Sequence, residues 1–140
     1  MEAEALSALL QNPRIWRGYR RGSLEGERTG FAALDRALPG HGWPRNALIE
    51  LITPRLGIGE LQLLLPVLRG RPQSWVAPPY IPYAPALHAA GMALDQLLLI
   101  YPQSTQEALW ATEQILRAGT DAAVLGWQEQ VPMQALRRLQ

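Results

Sequence analysis

The stretch Ala47-Leu48-Ile49-Glu50-Leu51-Ile52-Thr53-Pro54-Arg55-Leu56-Gly57-Ile58-Gly59-Glu60-Leu61 decides how the rest of the chain is read. Its first six residues are apolar and β-branched enough for a strand, and a glycine-bearing loop follows. Gln62 to Leu68 then continues as a helix. Strand, tight loop and helix form the setting of a phosphate-binding loop, whose pattern is G-x-x-x-x-G-K-[ST]. With the second glycine of that pattern on Gly59, Pro54 takes the place of the first. Glu60 stands where the lysine belongs and Leu61 where the Mg²⁺-binding hydroxyl belongs. The lysine neutralises the β- and γ-phosphates, and a carboxylate there repels them. No lysine exists elsewhere, because all 13 basic residues are arginine. Gly57 and Gly59 are therefore expected to serve a turn and close packing at a helix start. No cofactor is expected at Pro54, Gly57, Gly59, Glu60 or Leu61.

Outward from this loop the chain alternates strand and helix. Strands are expected near residues 47–52, 74–77, 97–101 and 122–127. These short apolar runs alternate little, as in a sheet covered on both faces. Helices are expected near 60–68, 84–90, 105–118 and 132–139, with Ala108, Leu109, Thr112, Ile115 and Leu116 forming the stripe of the longest and Gly119 its stop. Ahead of the loop, Thr29 looks like an N-cap for a short helix carrying Phe31, Leu34 and Leu38. This order implies an α/β fold, a mainly parallel sheet flanked by helices with right-handed crossovers.

Residues 1–28 are read as an appendage to a core of residues 29–140. Leu6, Leu9 and Leu10 lie at helical spacing, and Asn12-Pro13 interrupts that helix. Arg14-Ile15-Trp16-Arg17-Gly18-Tyr19-Arg20-Arg21 interleaves arginine with aromatics, and residues 22–28 look like a mobile linker. The arm either packs on its own core, docks on a partner protein, or holds single-stranded nucleic acid by charge and stacking.

Composition narrows the function. A chain of 140 residues suits one core, and 48% hydrophobic against 18% charged residues excludes a disordered tail. A net charge of +1 gives no general pull toward nucleic acid or membrane, so direct DNA binding is expected to be weak or absent. The absence of cysteine removes disulfides and thiolate metal sites and suits a reducing cytoplasm. Met1-Glu2-Ala3-Glu4 is not a secretory leader, and no apolar run reaches the roughly 18–20 residues of a membrane helix. His41 and His88 have no evident companions for a metal site, and Ser7, Ser23, Ser74 and Ser104 lie in no nucleophile elbow. Glu107 and Glu113 are read as solvated. The run Ala77-Pro78-Pro79-Tyr80-Ile81-Pro82-Tyr83-Ala84-Pro85 is a stiff aromatic loop. It either caps the sheet's C-terminal edge or presents Tyr80, Ile81 and Tyr83 to a partner, since proline holds a surface in its bound shape and tyrosine is a common anchor.

Thr29-Gly30-Phe31, Leu34-Asp35, Leu38-Pro39-Gly40, Gly42-Trp43-Pro44 and Ile49-Glu50 together resemble the lead-in to the P-loop of the RecA recombinase core. Trp16-Arg17-Gly18, Gly57 to Leu61, Ala77 to Pro85, Ala108-Leu109-Trp110 and Ala135 to Gln140 resemble the bacterial ImuA family of SOS-induced translesion synthesis. The cell-division inhibitor SulA looks like a more distant relative of the same degenerate kind. Against the RecA pattern, the water-activating acid is missing at Ala77-Pro78-Pro79 and the Walker-B acid at Ala123 to Trp127. Loss of lysine, hydroxyl and both acids implies no ATPase. The resemblance implies an accessory protein of the mutasome with RecA, an ImuB-type polymerase hub and, through the hub, an error-prone DnaE-type polymerase as partners. It would be cytoplasmic, at the nucleoid when engaged, with a homo-oligomer as one option. Leu6, Leu9, Leu10, Trp16, Arg17, Tyr19, Arg20, Tyr80 and Tyr83 are the expected partner-binding residues. The alternative is a SulA-like inhibitor acting on FtsZ. The family's pattern continues past the position matching Gln140, which implies that this sequence is a piece of a longer protein.

Overall fold

A computed structural model describes residues 25–139. The arm residues Leu6, Leu9, Leu10, Trp16, Arg17, Tyr19 and Arg20 lie outside them.

Three parallel strands carry the fold: β1 (Gln73–Val76), β2 (Leu97–Ile100) and β3 (Ala123–Gly126), in the order β2-β1-β3. Trp75 pairs in register with Leu99 on one side and Leu125 on the other. Among the described residues, five α-helices accompany them, α1 (Ala32–Ala37), α2 (Leu65–Leu68), α3 (Ala84–Ala89), α4 (Thr105–Ala118) and α5 (Met133–Leu139). A 3₁₀ turn over Glu60–Leu63 leads into α2, and another over Leu94–Gln96 leads into β2. The α/β class and the parallel sheet flanked by helices agree with the sequence.

Alternation along β1 sorts the core. Trp75 points to one face and packs with Leu68 from α2 and Met92 beyond α3, alongside Leu87, Leu97, Leu99, Leu125 and Trp127. Trp75 and Trp127 meet with ring centroids 5.5 Å apart at 58°, a tilted aromatic pair. The polar atoms buried here are paired: the Trp75 Nε1–H donates to Gln73 Oε1 at 2.9 Å, and Gln73 Nε2 donates to the Leu68 carbonyl at 3.1 Å. The opposite face, with Ser74 and Val76, lies against α4, which buries Ala108 and Thr112. Helix α4 begins where the Ser104 Oγ accepts from the Glu107 N–H at 3.2 Å, while Glu107 Oε2 accepts from the Gln103 N–H at 2.8 Å. It ends on Gly119 at φ 65°, as its sequence suggested. Leu116 of its expected stripe is exposed, and Glu107, read as merely solvated, helps to cap the helix.

Two expectations need correction. Ala47–Ile52 is not a strand: Leu48, Ile49, Leu51 and Ile52 are exposed, Ile52 at 86%, and no backbone hydrogen bond joins the segment to another described residue. Strand composition alone does not make a strand when no neighbouring ladder pairs with it. Thr29 does not cap α1, whose N-cap is Phe31. Its hydroxyl accepts from the Phe31 N–H at 3.0 Å, and its own N–H donates to Asp35 Oδ1 at 2.8 Å. Asp35, not Phe31, is the buried residue of α1.

The end of the stretch read as a linker is fixed to the core. Glu27 and Trp43 form an antiparallel bridge with N···O distances of 2.8 and 2.7 Å, and Glu27 pairs with Arg71. Gly26 lies so near the Gly42 backbone that a Cβ would sit 2.7 Å from it. Trp43, buried, donates through Nε1 to the Leu63 carbonyl at 3.2 Å.

Candidate functional site

The loop that resembles a phosphate-binding loop is built by two left-handed glycines, Gly57 at φ 79° and Gly59 at φ 107°. No atom lies within 4 Å of a Cβ built on either one. Backbone conformation, not close packing, therefore requires glycine here, so only the turn half of the sequence expectation holds. The turn aims the Gly57 and Ile58 N–H groups to one side. Glu60 fills that position: its Oε1 accepts from Gly57 at 2.8 Å and its Oε2 from Ile58 at 3.0 Å. These amide bonds, the one from Gly57 foremost, hold the Glu60 carboxyl below its ordinary pKa against the opposing effect of burial. A carboxylate within the chain thus occupies a pair of amides of the kind that a phosphate would use. Pro54 and Leu61 add no polar side chain to the loop, and Leu56 and Ile58 are exposed beside it.

The C-terminal ends of the strands are where open parallel sheets place their ligands. After β1, Ala77 has a positive φ of 55°, and its N–H donates to the Ile100 carbonyl at 2.8 Å. Pro78 is buried, after which Tyr80 at 72%, Ile81 at 85% and Tyr83 at 72% are exposed. The loop is thus anchored at its root and open at its crest. After β3, the Gln128 side chain folds over Gly126, where a Cβ would sit 2.5 Å from Gln128 Oε1. Gln128 Nε2 is buried with no hydrogen-bond partner among the described residues. The end of β3, where a metal-proximal acid would be expected, is therefore covered by an amide.

Of the expected site residues, Gly57 and Glu60 are joined by a hydrogen bond, and Tyr80 and Tyr83 share one exposed loop. Among the described residues, no hydrogen bond links these two loops. Sequence reasoning placed Glu60 at the lysine position without seeing that it would fold back onto the loop. A glutamate just after a G-x-G turn, within reach of the turn's free amides, was the available signal. It also missed Gln128, which carried none.

No helix among the described residues is long and apolar enough to cross a membrane. No protein-family model matches the chain, and comparison with curated proteins gives no match. Among solved structures, SulA from Pseudomonas aeruginosa is similar, with 28% sequence identity and a TM-score of 0.50 over 61% of this chain and 79% of that one. The chain has a SulA-like α/β fold.

Proposed function

We propose that this chain is a non-catalytic accessory protein of the bacterial SOS response, acting by binding other proteins rather than by turning over a nucleotide. The observation that carries this reading is the Glu60 carboxylate seated on the Gly57 and Ile58 amides. An incoming phosphate would have to displace a bonded anion and meet no lysine, no Mg²⁺-binding hydroxyl and no carboxylate at Ala77–Pro79 or Ala123–Trp127. The likeness to SulA supports the SOS setting that the sequence resemblance implies.

Within that setting, the finer reading is a mutasome adaptor of ImuA type. It binds RecA and an ImuB-type polymerase hub, and through the hub serves an error-prone DnaE-type polymerase. A protomer shaped like RecA but without its nucleotide cycle joins or caps a RecA surface and so limits filament growth. Such a protein works in the cytoplasm, at the nucleoid when engaged, with little direct contact to DNA. The exposed crest of Tyr80, Ile81 and Tyr83 is one surface suited to a partner. The arm with Leu6, Leu9, Leu10, Trp16, Arg17, Tyr19 and Arg20 is the other.

A second reading, resting on the same likeness to SulA, is an inhibitor of FtsZ polymerisation. RecA filament formation and FtsZ assembly, followed by light scattering at matched concentrations of this protein, separate the two. The mutasome reading expects slowed or shortened RecA filaments with FtsZ unaffected. Inhibition of FtsZ alone would establish the second reading, and no effect on either would overturn both.

A further inference from the structure

Exposed arginines gather where the chain enters the core. Glu27 and Trp43 form the antiparallel bridge, and both turn inward, Glu27 to Arg71 and Trp43 to the Leu63 carbonyl. Alternation then turns Arg28 outward, and Arg28 is exposed. A Cβ on Gly42 would sit 3.0 Å from the Arg28 backbone nitrogen, which places His41, also exposed, beside it. Helix α1 is tied to this place from both sides. The Thr29 N–H donates to Asp35 Oδ1 at 2.8 Å, and the His41 N–H donates to the Leu38 carbonyl at 3.1 Å. Arg36 is exposed on α1, and Arg45 is exposed two residues after the bridge.

Charge decides what this face fits. Between residues 25 and 46 the acids are Glu25, Glu27 and Asp35. Asp35 is buried, its carboxylate held by the Thr29 N–H foremost, with Arg28 and His41 also acting on it. Glu27 is paired with Arg71, so Glu25 is the exposed acid here against three exposed arginines. Among the described residues, Arg28, Arg36 and Arg45 form no ion pair. We infer that this face docks an acidic segment of a partner protein, a short run of Asp and Glu whose carboxylates take the guanidinium groups of Arg28, Arg36 and Arg45. The planar fork of a guanidinium matches a carboxylate with two parallel hydrogen bonds. Phe31, 42% exposed at the start of α1, offers apolar contact beside them.

Two other occupants fit less well. Residues 1–24 hold four arginines and two glutamates, so the arm carries the same sign of charge as the face. Single-stranded nucleic acid follows a basic groove along its backbone. Residues 25–140 hold nine arginines against ten acids, so a polyanion running past this face meets a surface of net negative charge. A short acidic segment gains the local attraction without that repulsion. The inference takes from the proposed function only that the partner is a protein, and it adds a contact on the core to those of the arm and the crest. Its failure would leave the nucleotide account standing, which the melt with Mg·ATP tests separately.

The isotopically labelled full chain is titrated with octaglutamate, octaglutamine and octathymidylate at low ionic strength, where exposed charges are least screened. Octaglutamate is expected to shift the amide resonances of residues 28–46 most, and octaglutamine to leave them in place. Arg28→Gln, Arg36→Gln and Arg45→Gln combined should weaken octaglutamate binding about fivefold or more, since exposed pairs contribute little singly and count together. Replacing Arg14, Arg17, Arg20 and Arg21 with Gln should keep the shifts at residues 28–46 and change the affinity there by less than about twofold. Because the map of shifts needs no substitution, it stays decisive if a variant fails to fold. Absence of shifts at residues 28–46, their loss when only the arm is neutralised, equal shifts with octaglutamine, or tighter binding of octathymidylate than of octaglutamate would overturn the docking of an acidic segment.

Discussion

Glu60 replaces the residue that a phosphate-binding loop most needs and also supplies the anion that such a loop binds. Its two amide bonds have a consequence for pH. Because they favour the charged form, the folded-state pKa of Glu60 is depressed, and the same holds for Asp35 through its bond from the Thr29 N–H. The stability they add is fully present above the ordinary carboxylate values. It is lost as pH falls through the depressed folded-state values. Thermal melts below about pH 4.5 should therefore show a steeper fall for the native chain than for Glu60→Gln or Asp35→Asn, each of which removes one titrating group. Slopes identical across the three proteins would contradict these roles. At this scale the sequence shows which residue stands at each position, and so the loss of lysine and hydroxyl was legible. The direction in which the Glu60 side chain turns depends on the glycine φ angles, and composition does not carry those.

Among the elements, the parallel strands β1 to β3 and helix α4 were legible because short apolar runs and a capped amphipathic stripe are local signals. Residues Ser104 to Glu107 spell S-x-x-E, the pattern of a capping box, and Ser104 stands at the N-cap. Replacing Ser104 with Ala should cost about 1 kcal/mol, measured by urea denaturation, while Ser104→Asp should retain most of the stability. The segment 47–52 was misread for the opposite reason. Whether an apolar run becomes a strand depends on a partner edge, a non-local condition that no window of sequence contains. Thr29 was misassigned because a hydroxyl near a helix start can bond the chain two residues on, as well as cap the helix.

For the whole molecule, the proposed division of labour places partner recognition in the arm and stability in the core. The sheet and both of its covering layers lie between Ala32 and Leu139, so a chain lacking residues 1–22 should fold. It should lose RecA binding, and Leu9→Asp or Trp16→Ala in the full chain should weaken that binding by about 1 kcal/mol or more, as for a buried anchor. Undiminished RecA inhibition by the truncated core would refute the docking role of the arm. Melting of the core on truncation would instead mean that the arm packs on it.

The most direct test of the proposal that this chain binds partners and not nucleotide is its melting temperature with and without millimolar Mg·ATP. A ligand present at about 100 times its Kd adds about 2.7 kcal/mol to the native state. In a domain of this size that raises the melting temperature by several degrees. The account predicts a shift within about 1 °C of zero, and a clear ATP-dependent rise of several degrees would contradict it.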